Sequence, residues 1–524
     1  MKKIVMLLCL ALTLILGACS SSEGGAEENQ TLIIGIESEA DVLDPHRASG
    51  WVTFRINRQI HESLVAEDLS AEGKSKQTPD IVPGLAKSWE VSEDGLVYTF
   101  NLQEGVTFHD GTEFNAEAVA FNFRRVIDED FEYYDQRSAS ALMNTISRVE
   151  STTVVDEHTI QINMSEPFSS FIRLLAGERS VSMISPAALT ASGNDLYAES
   201  PVGTGPFKFA ERVRGEKIVL TRNEEYWGDK AQLEQVIFQP ISNQAARVLA
   251  LESGQVDVIA VPPPDSIEQL QQSGFVVDSG NPPHIWYLNM NLNNEMMQNP
   301  LVRQAIAMAI DRKGMAETLL KGTVKPAYSI QSPANAAYDP DFVDYEYNPE
   351  KAKELLAEAG YPNGFDTVFQ TSVDGSGQLI PVPMAEWIQQ DLAKVGVNVE
   401  LETFEWISYL GMWGNMPEDV GFNQMSWGTS TPFHLYNVAH SDSGANAGKY
   451  HNPKVDALID QALGAMDEES EIGYWKQANQ LIAEDAAIIP IVNDTAPYAM
   501  ASYVKGFVVP NQQWYDLTKV TIED

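Results

Sequence analysis

The chain has 524 residues, of which 74 are acidic and 34 are basic, and its formal net charge is −40 at pH 7. A surface this acidic repels nucleic acids and anionic lipid head groups, so the composition excludes nucleic-acid partners. The length exceeds what one hydrophobic core usually organises and predicts two or three domains.

The N-terminus has the pattern of a bacterial export signal. Two lysines precede an apolar run at residues 4–16, which is shorter than the ~20 residues that span a bilayer. The sequence LGAC at residues 16–19 resembles a lipobox, which predicts that residues 1–18 are removed and that Cys19 carries acyl chains such as palmitate. About two acyl chains anchor a protein stably, and residues 19–30 then form a lipidated, flexible tether. The alternative is an ordinary cleaved signal with an incidental cysteine.

Strand and helix patterns are mixed along the remaining chain, which predicts an α/β fold. Short apolar or alternating runs predict strands at residues 31–38, 158–164, 217–223, 235–241 and 285–292. Apolar residues at helical spacing predict helices at residues 115–128, 299–320, 348–360 and 382–396. Asn115 and Asn348 are predicted helix N-caps, because an asparagine precedes each helical pattern. Residues 96–108 predict a hairpin that turns at Glu104 and Gly105.

One long stretch and several shorter ones resemble a known family. Residues 79–123, PDIVPGLAKSWEVSEDGLVYTFNLQEGVTFHDGTEFNAEAVAFNF, resemble the hallmark segment of the solute-binding lipoproteins that serve peptide, glutathione and nickel ABC importers. The further matching segments, in chain order, are LDPH (43–46), PVGTGPFKF (201–209), NEEYWG (223–228), NPLVRQAIAMAIDR (299–312), YNPEKAKELLAEAGYPNGF (347–365) and IIPIVND (488–494). Together they cover essentially the whole chain after the export signal.

This resemblance implies a two-lobed fold of the periplasmic-binding-protein-like type II class (cluster C) with an extra domain. By the order of the segments, domain I is expected to combine residues 31–68, 200–285 and 494–524, domain II to be 69–199, and domain III to be 286–493. Paired crossover strands are expected to join the lobes, and a solute is expected to lie between them. Closure of such a cleft around a solute is a population shift between two states.

The segment at residues 422–440 resembles the cleft stretch of the family, in which an apolar strand reaches a tryptophan and a polar loop. Trp427 is therefore expected to form a wall of the cleft, and the alternative is a core aromatic residue. Dipeptide binders typically carry an aspartate for the α-ammonium near the place of Ser430, and this chain has none there. The loop with Gly428, Ser430 and Thr431 is more similar to that of glutathione-type binders, whose hydroxyls donate to a carboxylate or accept from an amine.

Four further residues are candidate ligand contacts. Arg137 lies where the resemblance places basic cleft residues, and its alternative is a surface ion pair with Asp135 or nearby acids. Arg47 and Trp51 lie in the loop after the first predicted strand. Asp494 ends a segment near the expected hinge and is a candidate acceptor for an amine.

Two other patterns admit alternative interpretations. Trp406, Tyr409 and Trp413 have helical spacing, and packing in the core or between lobes is favoured over stacking on a ligand. His434 and His440 lie in the cleft-like loop where relatives that bind nickel complexes use a histidine, which leaves a metal-chelate ligand open. No metal-binding, nucleophile-elbow or phosphate-loop motif occurs, so no enzyme activity, cofactor or bound metal is expected.

The resemblance thus implies an extracytoplasmic, lipid-anchored receptor, monomeric and on the outer face of a Gram-positive membrane. It would capture a small peptide-like solute, such as a dipeptide, an oligopeptide or glutathione, and deliver it to an ABC permease and its ATPase. The alternatives are a metal-chelate receptor of the same family, an exported hydrolase, and a sensing or adhesion lipoprotein without transport.

Overall fold

A computed structural model describes residues 30–523 apart from 49, 77, 178, 376, 512 and 513. The predicted export signal and Cys19 lie outside these described residues. Across the described part of the chain, no helix is both long enough and apolar enough to cross a bilayer. The fold is the expected α/β arrangement, in which three large sheets are covered by helices.

The first sheet has seven strands and is built from both ends of the chain and a middle segment. Its strand order is Val276–Asp278, Tyr498–Met500, Val258–Ala260, Thr31–Ile36, Gln235–Pro240, Lys217–Arg222 and Phe207–Val213. The central strand, Thr31–Ile36, pairs in parallel with both neighbours, with Ile34 opposite Phe238 on one side and Val258 on the other. All three of these residues are buried in one apolar core, as expected of a strand with a near-continuous apolar run.

The second sheet has four antiparallel strands in the order Ala86–Val91, Val97–Leu102, Thr159–Met164 and Val149–Asp156. The predicted hairpin at residues 96–108 is wrong, because the strand Val97–Leu102 pairs with Ala86–Val91 and Thr159–Met164 instead. The turn lies on the other side of this strand. There Gly95 has φ +70°, which glycine adopts without strain.

The third sheet has six strands in the order Val324–Pro326, Ile488–Asp494, Ile285–Met290, Val420–Trp427, Phe365–Ser372 and Val397–Phe404. Its centre is apolar on both faces. Trp286 and Leu288 pack into one core, whereas Ile285 and Tyr287, on the opposite face, pack into a core shared with the four-stranded sheet. This shared core brings the second and third sheets together.

Helices cover the sheets. The described α-helices are Trp51–Ile60, Ala71–Lys74, Ala116–Ile127, Gln136–Ala141, Met143–Ile146, Phe171–Ala176, Pro186–Tyr197, Gln244–Glu252, Ile267–Gln272, Glu295–Gln298, Pro300–Ala309, Arg312–Gly314, Pro349–Glu358, Pro381–Ala393, Trp406–Met412, His434–Ala439, Pro453–Leu463 and Glu468–Glu484. Asn115 and Asn348 are confirmed as N-caps, since each side chain accepts a backbone N–H of the first turn. The predicted helix at 299–320 is interrupted, because Ile310 has the extended dihedral angles φ −92° and ψ 118°.

Two segments connect the seven-stranded and six-stranded sheets. Residues 279–284 lead from the strand Val276–Asp278 to Ile285–Met290, and residues 495–497 lead from Ile488–Asp494 back to Tyr498–Met500. The amide of Gly280 donates to the carbonyl of Thr495 at 3.0 Å, so the two crossings run beside each other. The boundaries predicted for domains I, II and III remain predictions, and each of the three large sheets is drawn almost entirely from one of these parts.

Candidate functional site at the lobe crossing

Three neighbouring strand ends meet where the chain crosses between the lobes. Ile285, the first residue of its strand, lies opposite Trp427 on one side and Asn493 on the other. Asp494 follows at the same edge, and its amide donates to the carbonyl of His284 at 3.1 Å. Because adjacent strands lie ~4.8 Å apart, Trp427 and Asn493 are separated by about 10 Å. Both crossings and the loop after Trp427 therefore converge on one sheet edge.

The backbone at this edge is tightly packed. A Cβ atom on Gly428 would lie 1.6 Å from the carbonyl oxygen of Pro283, and one on Gly377 would lie 2.4 Å from the His284 ring. A side chain at either position would force the backbone of the crossing to move. These two glycines thus allow the loops after Trp427 and around residue 377 to close over the first crossing.

A group of buried polar side chains lies beside Trp427. The ring of His434 is 5.1 Å from that of Trp427 and 6.0 Å from that of Tyr287, both in edge-to-face arrangements. Tyr287 is 0% exposed and His434 is 1% exposed. Among the described residues, neither the Tyr287 hydroxyl nor either ring nitrogen of His434 has a hydrogen-bond partner. Because buried polar groups are nearly always hydrogen-bonded, these atoms are free to bind water or part of a solute.

The side chains of Tyr287 and His434 are both uncharged at neutral pH. Burial lowers the pKa of His434 to about 3, so its imidazole is uncharged at physiological pH and has one donor and one acceptor nitrogen. Burial also raises the pKa of the Tyr287 hydroxyl well above its usual value. The group can therefore bind an uncharged polar group such as a peptide amide.

A cavity of about 520 Å³ borders the crossing. One wall comes from the first lobe, from residues 37–41, the start of the helix Trp51–Ile60, and Arg247. The facing wall comes from residues 373–375, Gly377, residues 379–381, Pro383 and the start of the helix Trp406–Met412. Asp494 contributes to the lining from the second crossing. This volume is in the range of small-molecule pockets and lies between the two lobes.

Asp494 is the buried acid of this cavity. It is 4% exposed, and its Oδ1 accepts the backbone N–H of Ala496 at 2.8 Å. Burial raises the pKa of the Asp494 carboxyl to about 6. At neutral pH it is therefore mostly ionised, and a cation in the cavity would stabilise that charge.

The comparison with protein families identifies the architecture around this site. The family model described as bacterial extracellular solute-binding proteins, family 5 (middle), matches residues 80–449. The chain belongs to this family. The match includes the hallmark segment, the first crossing and the loop after Trp427, so the site lies largely inside the matched region.

Individual relatives of this family 5 protein match along nearly its whole length. The chain is 29% identical over 536 residues to heme-binding protein A of Haemophilus influenzae, with 95% of each chain covered. It is 29% identical over 478 residues to the dipeptide-binding protein of Escherichia coli, covering 85% of this chain and 87% of the relative. It is also similar to the crystal structure of a dipeptide-binding protein from Pseudoalteromonas in complex with Met-Leu. That similarity has a TM-score of 0.84 and 26% identity, and it covers 94% of this chain and 100% of that one.

Four of the residues predicted from the sequence lie at the end of the strand Val420–Trp427 or in the loop after it. Trp427 is partly exposed and packs against the core shared with the four-stranded sheet. Gly428, Ser430 and Thr431 are buried, and the hydroxyl of Thr429 donates to the carbonyl of Thr431 at 2.7 Å. The family 5 protein thus places this loop next to His434.

Trp51 is also at the crossing. Its ring is 4.6 Å from that of His284 in an edge-to-face arrangement and stacks 5.9 Å from Trp514. Trp51 is 7% exposed, so most of its surface is used in packing the helix Trp51–Ile60 against the first crossing. Trp51 was predicted from the sequence as a candidate ligand contact, and it lies at the same sheet edge as Trp427 and Asp494.

Arg47 lies in a cluster of ion pairs. Its guanidinium donates two hydrogen bonds to Asp135, at 2.7 and 2.8 Å, and one to Asp195 at 2.9 Å. Burial alone would raise the pKa of the Asp135 carboxyl. The hydrogen bonds and positive charge of Arg47 nevertheless hold that pKa below its usual range. Beside it, Arg125 binds Asp44 at 2.6 Å with both side chains fully buried. This cluster joins the loop after the first strand to the helices Ala116–Ile127 and Gln136–Ala141.

Arg137 lies on the short helix Gln136–Ala141 and is exposed. The alternative interpretation paired it with Asp135, but in the structure Asp135 caps that helix and pairs with Arg47. The structure does not bring Arg137 and Trp427 into one described cluster.

The aromatic residues at helical spacing lie near the cavity. Trp406 lines it, and its ring is 6.3 Å from that of Tyr409, whose hydroxyl donates to the carbonyl of Gln424 at 2.5 Å. His440 lies 3.5 Å from Asp460 and stacks on Tyr436, away from His434. In the described part of the chain, no group of three or more metal-ligating side chains forms a metal site.

Two residues of the site were not singled out from the sequence. Tyr287 and His284 lie in or next to an apolar run that predicts a buried strand, and burial alone assigns no role to them. The one available signal was the polar ring of each residue at the start of that strand. Whether such a ring has a hydrogen-bond partner depends on residues far away in the chain, as with the 6.0 Å approach of His434 to Tyr287.

Proposed function

We propose that this protein is the extracytoplasmic solute-binding component of an ABC importer, and that it captures a short peptide-like solute between its lobes. The observation that carries the proposal is the convergence of both crossings, Trp427 and Asp494 on one sheet edge next to a 520 Å³ cavity. Family membership supports the same class of function. The named ligand of one relative, the dipeptide Met-Leu, supports a peptide.

The dimensions of the site favour a short solute. The Cα positions of Trp427 and Asn493 are about 10 Å apart across three strands. An extended peptide spans ~3.5 Å per residue, so two or three residues reach from one side of the edge to the other.

The proposed contact residues are Trp427 at the end of its strand, Gly428, Ser430 and Thr431 in the loop that follows it, and Asp494, which lines the cavity from the second crossing. Trp51 supports the site from the first lobe through His284. We leave out Arg47, because its nitrogens are engaged by two aspartates, and Arg137, because it lies exposed on another helix.

Delivery requires that the receptor stay near its transporter. We propose that the lipid on Cys19 anchors the protein to the outer face of the membrane, as in a Gram-positive cell, and keeps its local concentration high beside the permease and its ATPase. One monomer with its tether at residues 19–30 suffices for this role. Closure of the lobes around the solute then presents one surface to the permease.

Titration of the purified protein with a peptide library, followed by recovery of the peptides, tests the proposal. We expect a saturable rise in the melting temperature and peptides of unchanged mass. Cleaved peptides would identify a hydrolase, and binding of nickel chelates in place of peptides would identify a metal-chelate receptor. A deletion strain that takes up peptides normally would favour a sensing or adhesion role.

A further inference from the structure

A second pocket lies beside the first crossing, and its lining is basic. It has a volume of about 330 Å³ and shares no described lining residue with the interlobe cavity. Lys74, Lys76 and Lys325 line this basic pocket, and none of its described lining residues is acidic. In a chain with 74 acidic and 34 basic residues, three lysines and no acid around one pocket depart strongly from the average composition.

A buried asparagine holds the parts of the basic pocket together. Asn511 is 4% exposed, and its Oδ1 accepts the backbone N–H of Asn281, in the first crossing, at 3.0 Å. Its Nδ2 donates to the carbonyls of Lys74 at 2.7 Å and Lys76 at 3.2 Å. The backbone that carries these two lysines is therefore fixed to the crossing, and their side chains start from defined positions at the edge of the pocket.

The third lysine comes from the six-stranded sheet. Lys325 lies on the edge strand Val324–Pro326, and its Nζ donates to Oδ1 of Asn281 at 3.0 Å. This acceptor is neutral, and among the described residues no carboxylate oxygen lies within 4.0 Å of the Lys325 nitrogen. An ammonium has three N–H donors, so Lys325 keeps its charge and two donors for a ligand in the pocket.

The other two lysines have weak partners outside the pocket. Lys74 pairs with Asp278 at 2.6 Å, and Lys76 pairs with Asp80. The side chains of these aspartates are 48% and 60% exposed, and neither aspartate lines the pocket. Ion pairs this exposed contribute little and are easily exchanged, so a ligand with several negative charges can compete for both ammonium groups.

From this arrangement we propose that the basic pocket binds a compact oxyanion with two or more negative charges, such as a phosphate ester or a polycarboxylate. Phosphate and carboxylate oxygens accept hydrogen bonds from lysine ammonium groups, and the volume lies at the lower end of the range for small-molecule pockets. Because the whole chain carries a formal charge of −40, long-range forces repel anions, and binding depends on the short contacts with the three lysines. The proposal goes beyond the proposed function and does not depend on it.

Titration calorimetry with pyrophosphate and with citrate, in metal-free buffer at constant ionic strength, tests the proposal. We expect saturable binding of at least one probe at one site per protein. Binding of pyrophosphate alone identifies a phosphoryl ligand, and binding of citrate alone identifies a polycarboxylate. Lys325→Gln and Lys74→Gln should each weaken the binding by about tenfold, since each removes one charge-assisted contact. Lys353→Gln, which removes an exposed ammonium on the helix Pro349–Glu358, is the matched control and should bind like the wild type.

A second readout uses the wild-type protein alone, in case a variant fails to fold. An amine-reactive reagent labels exposed lysines, and peptide mass spectrometry measures the labelling at each position. Saturation with the bound probe should slow the labelling of Lys325 and Lys76 by several-fold and leave that of Lys353 unchanged.

The outcomes distinguish this site from the solute cavity. Failure of both probes to bind saturably, equal affinity of the wild type and Lys325→Gln, or unchanged labelling of Lys325 would each overturn the anion site, and peptide binding would be unaffected. Failure of the peptide library to bind would overturn the proposed function and leave the anion site intact.

Discussion

Tyr287 and His434 approach within 6.0 Å, ring centroid to ring centroid, from a central strand and from the helix after the Trp427 loop. Their polar atoms have no partner among the residues that the structure describes. A protein of ordinary stability rarely leaves several such groups unpaired in one place. These atoms can therefore bind buried water or part of a solute beside Trp427.

The first prediction concerns the hydroxyl of Tyr287. Tyr287→Phe should not lower the free energy of unfolding of the solute-free protein, because the hydroxyl has no described partner to lose. Tyr98→Phe is the matched control, since the buried Tyr98 hydroxyl donates to the carbonyl of Phe168 at 2.8 Å, and it should cost about 1 kcal/mol. Urea unfolding measures both. A loss as large for Tyr287→Phe as for Tyr98→Phe would show that its hydroxyl has a structural partner.

The second prediction separates a binding tryptophan from a core tryptophan. Trp427→Ala should weaken peptide binding by tenfold or more while lowering stability less than Trp286→Ala does. Trp286 is fully buried in the opposite core, so its removal should cost ~3–5 kcal/mol. Titration calorimetry and urea unfolding of both variants provide the comparison. Equal destabilisation with unchanged affinity would make Trp427 a core residue.

The sequence predicted local structure better than it predicted which strands pair and which distant side chains contact each other. The N-caps Asn115 and Asn348 depend on residues a few positions apart, and both are present in the structure. The hairpin predicted at 96–108 failed because the alternating strand found its partners at Ala86–Val91 and Thr159–Met164. Alternation indicates a strand and does not specify which neighbour it pairs with.

The same distinction applies to the site. The loop after Trp427 and the position of Asp494 near the crossing could be inferred by resemblance. The partners of Arg47 could not, because Asp135 and Asp195 lie 88 and 148 residues further along the chain. The missing partners of His434 are likewise a tertiary property.

The third prediction concerns the buried ion pair between the loop after the first strand and the helix Ala116–Ile127. Arg125→Ala should lower the free energy of unfolding by about 3–5 kcal/mol, because it leaves the buried Asp44 carboxylate with only the more distant Arg47, at 3.8 Å. Arg124→Ala, at the adjacent position, removes an exposed pair with Asp128 and should cost less than about 1 kcal/mol. Chemical denaturation measures the free energy of unfolding of both variants. Similar losses in the two variants would contradict the role given to Arg125.

The fourth prediction concerns the close approach at the crossing. Gly428→Ala should destabilise the protein by about 1–3 kcal/mol or more, because its Cβ would lie 1.6 Å from the Pro283 carbonyl oxygen. Gly444→Ala is the control, as nothing lies within 4 Å of its Cβ, and it should be nearly neutral. Thermal unfolding compares them. A neutral Gly428→Ala would mean that the crossing and the Trp427 loop move independently.

The fifth prediction tests the anchor. Cys19→Ser should release peptide-binding protein into the medium, since the anchor depends on the acylated cysteine. Fractionation of cells that express the two forms, followed by peptide titration of each fraction, measures this. Retention of the serine variant on membranes would exclude Cys19 as the anchor.

The central claim is that the two lobes close on an unaltered solute. Small-angle X-ray scattering of the protein titrated with Leu-Leu tests it most directly. We predict a decrease in the radius of gyration that follows the binding isotherm and is reversed when the peptide is removed by dialysis and recovered intact. An unchanged radius of gyration at peptide concentrations that saturate the site would contradict the account.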